Sequence, residues 1–246
     1  MTNGLYGAAS KAAQAEGADG GNARAMPSIV IPTLNAGAGL GRLLPRLAGI
    51  ACEIIVSDGG STDDTRAVAE AHGAKLVEGP AGRGPQLTHG AKAARGSWLL
   101  FLHADVVPGA GWAEALRGYL AAPESAVRAA AFRFALDDPS PQARRVERLA
   151  NWRARRLGLP YGDQGLLISR ALYDRIDGYR PLPIMEDVDI LRRLGRDRLA
   201  LLDAPLLSSA ARYRCDGWWA RPARNLFCLT LYLAGAPTTA IRRIYG

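Results

Sequence analysis

Glu53-Ile54-Ile55-Val56-Ser57-Asp58-Gly59-Gly60-Ser61-Thr62-Asp63-Asp64-Thr65 is a run of β-branched residues that stops on an acidic segment rich in glycine and hydroxyl groups. Such a run suits a strand buried on both faces. The paired glycines suit a tight turn, and Ser61 or Asp63 can cap a helix running towards His72. Strand, turn and helix make half of a βαβ unit. The same rhythm extends in both directions. Ile29-Val30-Ile31 precedes the stretch, and Lys75-Leu76-Val77 and Trp98-Leu99-Leu100-Phe101-Leu102 follow it, each bounded by Gly, Pro, Asp or Asn. Between the first two runs, Leu40, Leu43, Leu44 and Leu47 recur at helical spacing. The expectation is an α/β chain built on a doubly wound, mainly parallel sheet.

After about Ala122 the pattern changes. Ala129 to Leu136 reads as a strand, and Pro141 to Leu157 as an arginine-rich helix in which Val146, Leu149 and Trp152 share a face. Gly165-Leu166-Leu167-Ile168, a helix near Ala171, a helix starting at Met185-Glu186-Asp187-Val188-Asp189, and Leu199 to Leu202 follow. The expected organisation is a disordered tail (1–25), a first α/β half (26–122), a smaller second half (123–215) and a C-terminal amphipathic helical segment (216–246). No internal repeat is visible.

A chain of 246 residues with formal net charge +8 and a sequence pI near 9.8 attracts phosphates, anionic headgroups or nucleic acid, and charge alone does not choose among them. Cys52, Cys215 and Cys228 are odd in number, far apart and without zinc-type pairing, so all three are read as structural thiols in a reducing, cytoplasmic setting. Met1 to Ala25 carries no apolar core of signal-peptide length. The longest apolar stretch, Leu226 to Ala236, is shorter than the roughly 18 residues a membrane span needs. Gly37-Ala38-Gly39-Leu40-Gly41 follows the first strand, but a dinucleotide fingerprint would need glycine at Arg42, and no phosphate-binding G-x-x-x-x-G-K-[ST] loop exists. Dehydrogenases and P-loop ATPases are thereby disfavoured.

In open parallel sheets the ligand lies beyond the carboxyl ends of the strands. There the chain offers Pro32-Thr33-Leu34-Asn35, then Ser57-Asp58-Gly59-Gly60, then His103-Ala104-Asp105. Carboxylates and glycine turns on one sheet edge suit a nucleotide carrying a metal-bound diphosphate. Each residue also has a plainer reading. Asp58 can simply cap a helix, Asp63 and Asp64 can favour a helix dipole, and Asp163 can stabilise a turn. A hydrogen-bonding role suits His103 better than direct ligation of Mg²⁺, which prefers oxygen. His72 and His89 read as ordinary surface or packing residues. Trp218, Trp219, Leu226, Phe227, Leu229, Leu231, Tyr232 and Leu233, with Arg221, Arg224, Arg242 and Arg243, leave three readings open: a membrane interface, a homodimer contact, or cover for the second half's core.

Taken in order, these motifs resemble the inverting glycosyltransferase family 2 with the GT-A fold, over most of the chain after Met26. The nearest likeness is to small bacterial members of the arsenosugar-biosynthesis type. The resemblance implies a nucleotide site at Pro32, Thr33, Asn35, Asp58, Arg83, Ala104 and Asp105, with Asp58 bonding the base or ribose. His103-Ala104-Asp105 stands where the family has its metal-binding D-x-D motif, so Mn²⁺ or Mg²⁺ would lean on Asp105, with His103 as a candidate ligand. Glu186-Asp187 matches the later acidic pair, with Asp187 as base, its pKa raised by Glu186 and Asp189. Asp163, Gln164 and Trp218 become candidates for sugar or acceptor contacts, and Arg212 and Arg214 for a diphosphate clamp. Two departures stand out: Ala36 follows Asn35 where Glu is common, and His103 replaces the first Asp.

The implied reaction moves a sugar from a nucleotide-diphosphate donor, a UDP-sugar being expected, to a hydroxyl acceptor that is a lipid or a small molecule. The implied location is the cytoplasm, with contact at the inner face of the membrane left open. The rivals are a sugar nucleotidyltransferase and a noncatalytic module binding membrane or nucleotide. With no recognisable nucleic-acid motif, a nucleic-acid partner is not expected.

Overall fold

The computed structural model describes residues 26–245; the expected disordered tail, 1–25, lies outside the described residues. One eight-stranded sheet runs through the molecule in the order β3-β2-β1-β4-β7-β6-β8-β5. The strands are β1 (Ser28–Thr33), β2 (Glu53–Asp58), β3 (Lys75–Glu78), β4 (Trp98–Phe101), β5 (Val106–Pro108), β6 (Ala129–Leu136), β7 (Leu166–Ser169) and β8 (Leu199–Ser208). β1 pairs in parallel with β2 and β4, β2 with β3, and β6 with β8. β7 runs antiparallel to both β4 and β6. Strands of both expected halves therefore join one continuous sheet, and even the short β5 crosses over to pair with β8.

The helices are α1 (Gly37–Leu43), α2 (Thr65–Ala71), α3 (Arg83–Ala93), α4 (Trp112–Ala121), α5 (Pro141–Leu157), α6 (Arg170–Arg175), α7 (Glu186–Leu194), α8 (Ala211–Asp216), α9 (Ala220–Leu233) and α10 (Thr238–Tyr245). Alternation along the strands assigns them to two layers, because successive strand side chains point to opposite faces. Val30, Ile55, Leu99, Phe101, Ala131 and Ile168 pack with Leu87 of α3, Val188 of α7, Leu229 of α9 and Ile241 of α10. Ile29, Ile31, Val56, Leu100, Phe132 and Leu167 pack on the other face with Leu40 of α1, Ala69 of α2 and Trp112 of α4. Each of the large side chains so buried stabilises the fold by about 1.5–3 kcal/mol relative to an exposed one.

Three local expectations are corrected. α5 buries Ala143, Val146, Glu147 and Ala154, whereas Leu149 and Trp152 are exposed. At about 100° per residue, positions 146 and 152 stand some 120° apart, too far to share one narrow face. Neither Ser61 nor Asp63 is the formal cap of α2: Asp64 holds that place without a side-chain bond, while Asp63 accepts the Thr65 and Gly37 amides. Of the three cysteines only Cys228 is buried, and all three are free thiols.

Candidate functional site

One carboxylate ties the end of β1 to the loop after β2, and the loop after β4 comes against Gly39 through Ala104. Asp58 accepts the Thr33 hydroxyl (2.9 Å), the Gly60 and Ser61 amides (3.0 and 2.7 Å) and the Ser61 hydroxyl (2.5 Å). Burial works against its charge, but the Ser61 and Thr33 bonds outweigh it and hold the carboxyl below its usual range. Four donors fill the acceptor positions of two carboxylate oxygens. The structure thus gives Asp58 to the loop itself rather than leaving it free for a base or ribose. Asn35, at φ +51, extends the brace: its side-chain oxygen accepts the Thr62 amide (2.9 Å) and its amide donates to the Ser61 hydroxyl (2.8 Å). Gly39 serves close packing, since a Cβ there would stand 2.5 Å from the Ala104 carbonyl oxygen.

Beyond β4, the chain turns through His103, Ala104 and the exposed Asp105. A small pocket opens here, and its lining includes His103, Gly162, Tyr179, Glu186 and Asp187. Residues from the middle and the end of the chain thereby share one space. Burial, then the Arg83 guanidinium, push the His103 imidazole down to about 3 against the pull of Asp105, so the ring is neutral near pH 7. The charges of Asp105 and Asp187 both act on Arg83 and on Asp163.

Glu186 and Asp187 open α7, where two carboxylates favour the positive end of a helix. The residue before them, Met185, is buried and held at φ +64, a conformation costing about 1–2 kcal/mol for a residue with a side chain. Only the surrounding packing keeps it there. Asp187 accepts the Gly162 amide on Oδ2 (3.1 Å) and the Val188 amide on Oδ1 (2.8 Å), so each oxygen retains a free acceptor position. Glu186 is 2% exposed and pairs with Arg83 at 3.5 Å, and Arg83 is itself 44% exposed. Burial, then the Asp187 charge, push the Glu186 carboxyl up to about 7 despite Arg83. The expectation that Asp189 acts on Asp187 is corrected: Asp189 turns to Arg193 (2.5 Å), Arg180 (3.6 Å) and the Tyr232 hydroxyl (3.3 Å).

A carboxyl that ionises near 7 when folded and near 4.5 when unfolded keeps its proton longer in the folded chain, so its contribution to stability falls as pH rises through that window. Relative to wild type, Glu186→Gln should therefore gain melting temperature steadily from pH 4.5 to 7. Paired thermal melts across that range check this, and a pH-independent difference would refute it.

The remaining candidates divide. Asp163 faces Arg153, Asp105 and Asp187, and burial pushes its carboxyl up to about 6, with Oδ1 lacking a hydrogen-bond partner. Gln164, expected at the sugar or acceptor, is 1% exposed and donates to the Phe132 carbonyl (2.9 Å) under β6. It lines a separate small cavity with Arg133 and Arg155, because neighbouring residues of a tight turn point in different directions. Trp218 stacks on Tyr213 (5.8 Å between ring centroids) beside Phe134 and Val146, where burial of its ring is satisfied by packing. Arg214 pairs with Asp138 at 3.1 Å, which removes it from the expected clamp, while Arg212 is exposed and its charge reaches His103. Sequence reasoning missed an aromatic and cationic wall beside the acids: Arg153 lies 3.4 Å over the Tyr161 ring, Arg221 lies 5.6 Å over Tyr213, and Arg224 lies 5.6 Å over Tyr245. No linear spacing signals it, since its members lie on separate elements. Among the described residues no three His, Cys, Asp or Glu side chains form a ready metal cage.

Comparison with known proteins adds to this geometry. The sequence model of Glycosyl transferase family 2 matches residues 28–179. Two relatives, the PGL/p-HBAD biosynthesis glycosyltransferases of Mycobacterium tuberculosis and Mycobacterium bovis, are 39% identical over 90 residues, 32% of this chain and 35% of theirs. The chain thus spans about a third of the length of the curated relatives it matches. Glucosyl-3-phosphoglycerate synthase from Mycobacterium tuberculosis, solved with Mn²⁺, UDP and glucosyl-3-phosphoglycerate, superposes with TM-score 0.59 at 23% identity over 88% of this chain and 83% of that one. The same enzyme with Mg²⁺ and UDP gives TM-score 0.60 at 24% identity, over 88% and 82%. These likenesses establish the GT-A architecture, and the motif match from β1 to the segment before α7 carries the rest: the chain belongs to glycosyl transferase family 2.

Proposed function

We propose that the protein transfers a sugar, with inversion at the anomeric carbon, from a nucleoside-diphosphate sugar, UDP being the expected nucleotide, to the hydroxyl group of an acceptor. The observation that carries this reading is the single cleft lined by His103, Glu186 and Asp187, with Arg83 paired to Glu186 at its edge. The nucleoside would rest on the loops braced by Asp58 and Asn35. Arg83, half in solvent, would reach the diphosphate, and Arg212, whose charge reaches His103, would be the second cation to meet it.

In the transfer, the acceptor oxygen bonds to the anomeric carbon as the bond from that carbon to the phosphate oxygen breaks, and the electron pair leaves with the diphosphate. The acceptor proton passes to Asp187, whose two backbone bonds fix its direction and leave lone pairs open. Glu186 holds Arg83 in place. Asp163, unpartnered at one oxygen beside the acids, would take a hydroxyl of the sugar or acceptor, and the wall of Tyr161 and Tyr213 would line the acceptor's approach.

A divalent cation fits the residues present: one exposed carboxylate at Asp105 beside the neutral His103 suits Mg²⁺ or Mn²⁺, which complete their shells with water and substrate phosphates. Bound there, it would neutralise charge developing on the leaving diphosphate. The crystallised complexes of the mycobacterial synthase with Mn²⁺ or Mg²⁺ and UDP support this choice.

The test is release of nucleoside diphosphate from a panel of UDP- and GDP-sugars with Mn²⁺ or Mg²⁺, offered 3-phosphoglycerate, simple sugars and lipid alcohols as acceptors. Asp105→Ala should lose metal-dependent donor binding by calorimetry while the apo melting temperature stays near wild type, since the residue is exposed. Release of pyrophosphate would instead identify a nucleotidyltransferase. No binding or turnover of any donor would overturn the proposal.

A further inference from the structure

α9 is apolar on two sides: Cys228 and Leu229 are buried in the core, and the face turned to solvent carries no charge either. A helix on a protein surface ordinarily turns its charges to water and its apolar stripe to the core. Here the outward residues are Ala223, Leu226, Phe227, Thr230 and Leu233, with no charge among them. Leu226 is 61%, Phe227 53% and Leu233 51% exposed, with Trp219 at 66% just before the helix and Ile244 at 46% on α10. The cations of α9 are tied to a neighbour instead: Arg221 and Arg224 both bind Asp216, at 2.8 and 2.9 Å, and lie over Tyr213 and Tyr245. A few exposed apolar side chains are ordinary, whereas a stripe along a whole helix is not.

We infer that the outer face of α9 docks on an anionic membrane surface. Charge complementarity chooses this occupant. From Ser209 to Tyr245 the chain carries six arginines, one aspartate and no lysine or glutamate, so +5 of its formal +8 lies in this segment. Asp216 is already consumed by Arg221 and Arg224, which leaves Arg242 and Arg243 exposed on α10 beside Ile244. Pairing this face with a second copy would set two such positive segments against each other, while an anionic headgroup layer is complementary to both the charge and the apolar stripe. No helix among the described residues is long and apolar enough to cross a bilayer, so the contact is one of docking in the interface. The inner side of α9 meets α7 through the Tyr232 to Asp189 bond, and a docked protein would hold its cleft close to the lipid.

The inference stands apart from the transfer reading, because binding is measured on the full chain without donor or acceptor. Co-sedimentation with vesicles of 70% phosphatidylcholine and 30% phosphatidylglycerol at low salt should retain the protein, with partitioning at least tenfold stronger than on pure phosphatidylcholine and falling steeply with added salt. Leu226→Glu with Phe227→Glu should weaken it at least tenfold while leaving the melting temperature unchanged, since both positions face solvent. Arg242→Gln with Arg243→Gln should weaken only the anionic component. Absence of binding to the anionic vesicles, or unaltered binding by the Leu226 and Phe227 variant, would overturn the inference. So would light scattering that shows a dimer which that variant dissociates, because the face would then belong to a second copy.

Discussion

Asp187→Asn should leave donor binding intact and lower transfer by about 10²–10⁴-fold, the range of a lost general base. Asparagine keeps the shape of the side chain and one oxygen able to accept the Gly162 amide, so the loop carrying Asp163 stays in place. It cannot take up the acceptor proton near neutral pH. Calorimetry with the donor and metal, beside initial rates of nucleoside diphosphate release, separates the two effects. Wild-type turnover in this variant would move the proton-accepting role elsewhere in the cleft, and Glu186, pushed up to about 7, would be the next residue to replace.

Gly84→Ala should destabilise the fold by about 1–3 kcal/mol and impair transfer, although the glycine touches no substrate. A Cβ at this position would meet backbone on several sides, with the Arg180 oxygen and the Leu182 nitrogen each at 2.7 Å. Backbone gives way less readily than a side-chain tip. The segment from Tyr179 to Leu182 is tied to the same turn of α3 by the Thr88 hydroxyl, which bonds the Gly84 and Tyr179 carbonyls at 2.9 Å each. Pushing that segment away from α3 carries the strained Met185 and the Glu186 and Asp187 pair with it, and parts Glu186 from Arg83. A drop of roughly 2–10 °C in melting temperature is expected for a chain of this size. Gly41→Ala is the control: nothing lies within 4 Å of the added carbon on the exposed side of α1, and alanine favours helix, so that variant should melt no lower than wild type. Equal melting temperatures for Gly84→Ala and wild type would show that the close approach is not needed.

Much of this site was legible along the chain because strands and their exits are local. Apolar runs at β1, β2, β3 and β4 announced the parallel half, and the residues just after them were the ones that converge. The acidic start of α7 was legible for a similar reason, since adjacent carboxylates at a helix start carry a physical signal of their own. The side-chain partners were not. Arg214 and Arg212 differ by two positions, yet one is spent on Asp138 and the other is exposed near His103. Asp163 and Gln164 are neighbours in sequence, yet the charges of Asp105 and Asp187 act on the first while the second bonds the Phe132 carbonyl and lines a separate cavity. The β5 strand, too short to stand out, exists because β8 offers it an antiparallel edge.

By itself, then, the order of residues determined the α/β class, the strand exits where a nucleotide would bind, and the acidic pair near the end, all through short-range pattern and turn chemistry. Only the folded chain decided which carboxylate is filled by its own loop, which is buried against an arginine, and which face of α9 meets solvent. Helical periodicity says which side chains share a face but not what that face will meet, and burial and charge pairing depend on partners up to 103 positions away, as Arg83 and Glu186 are.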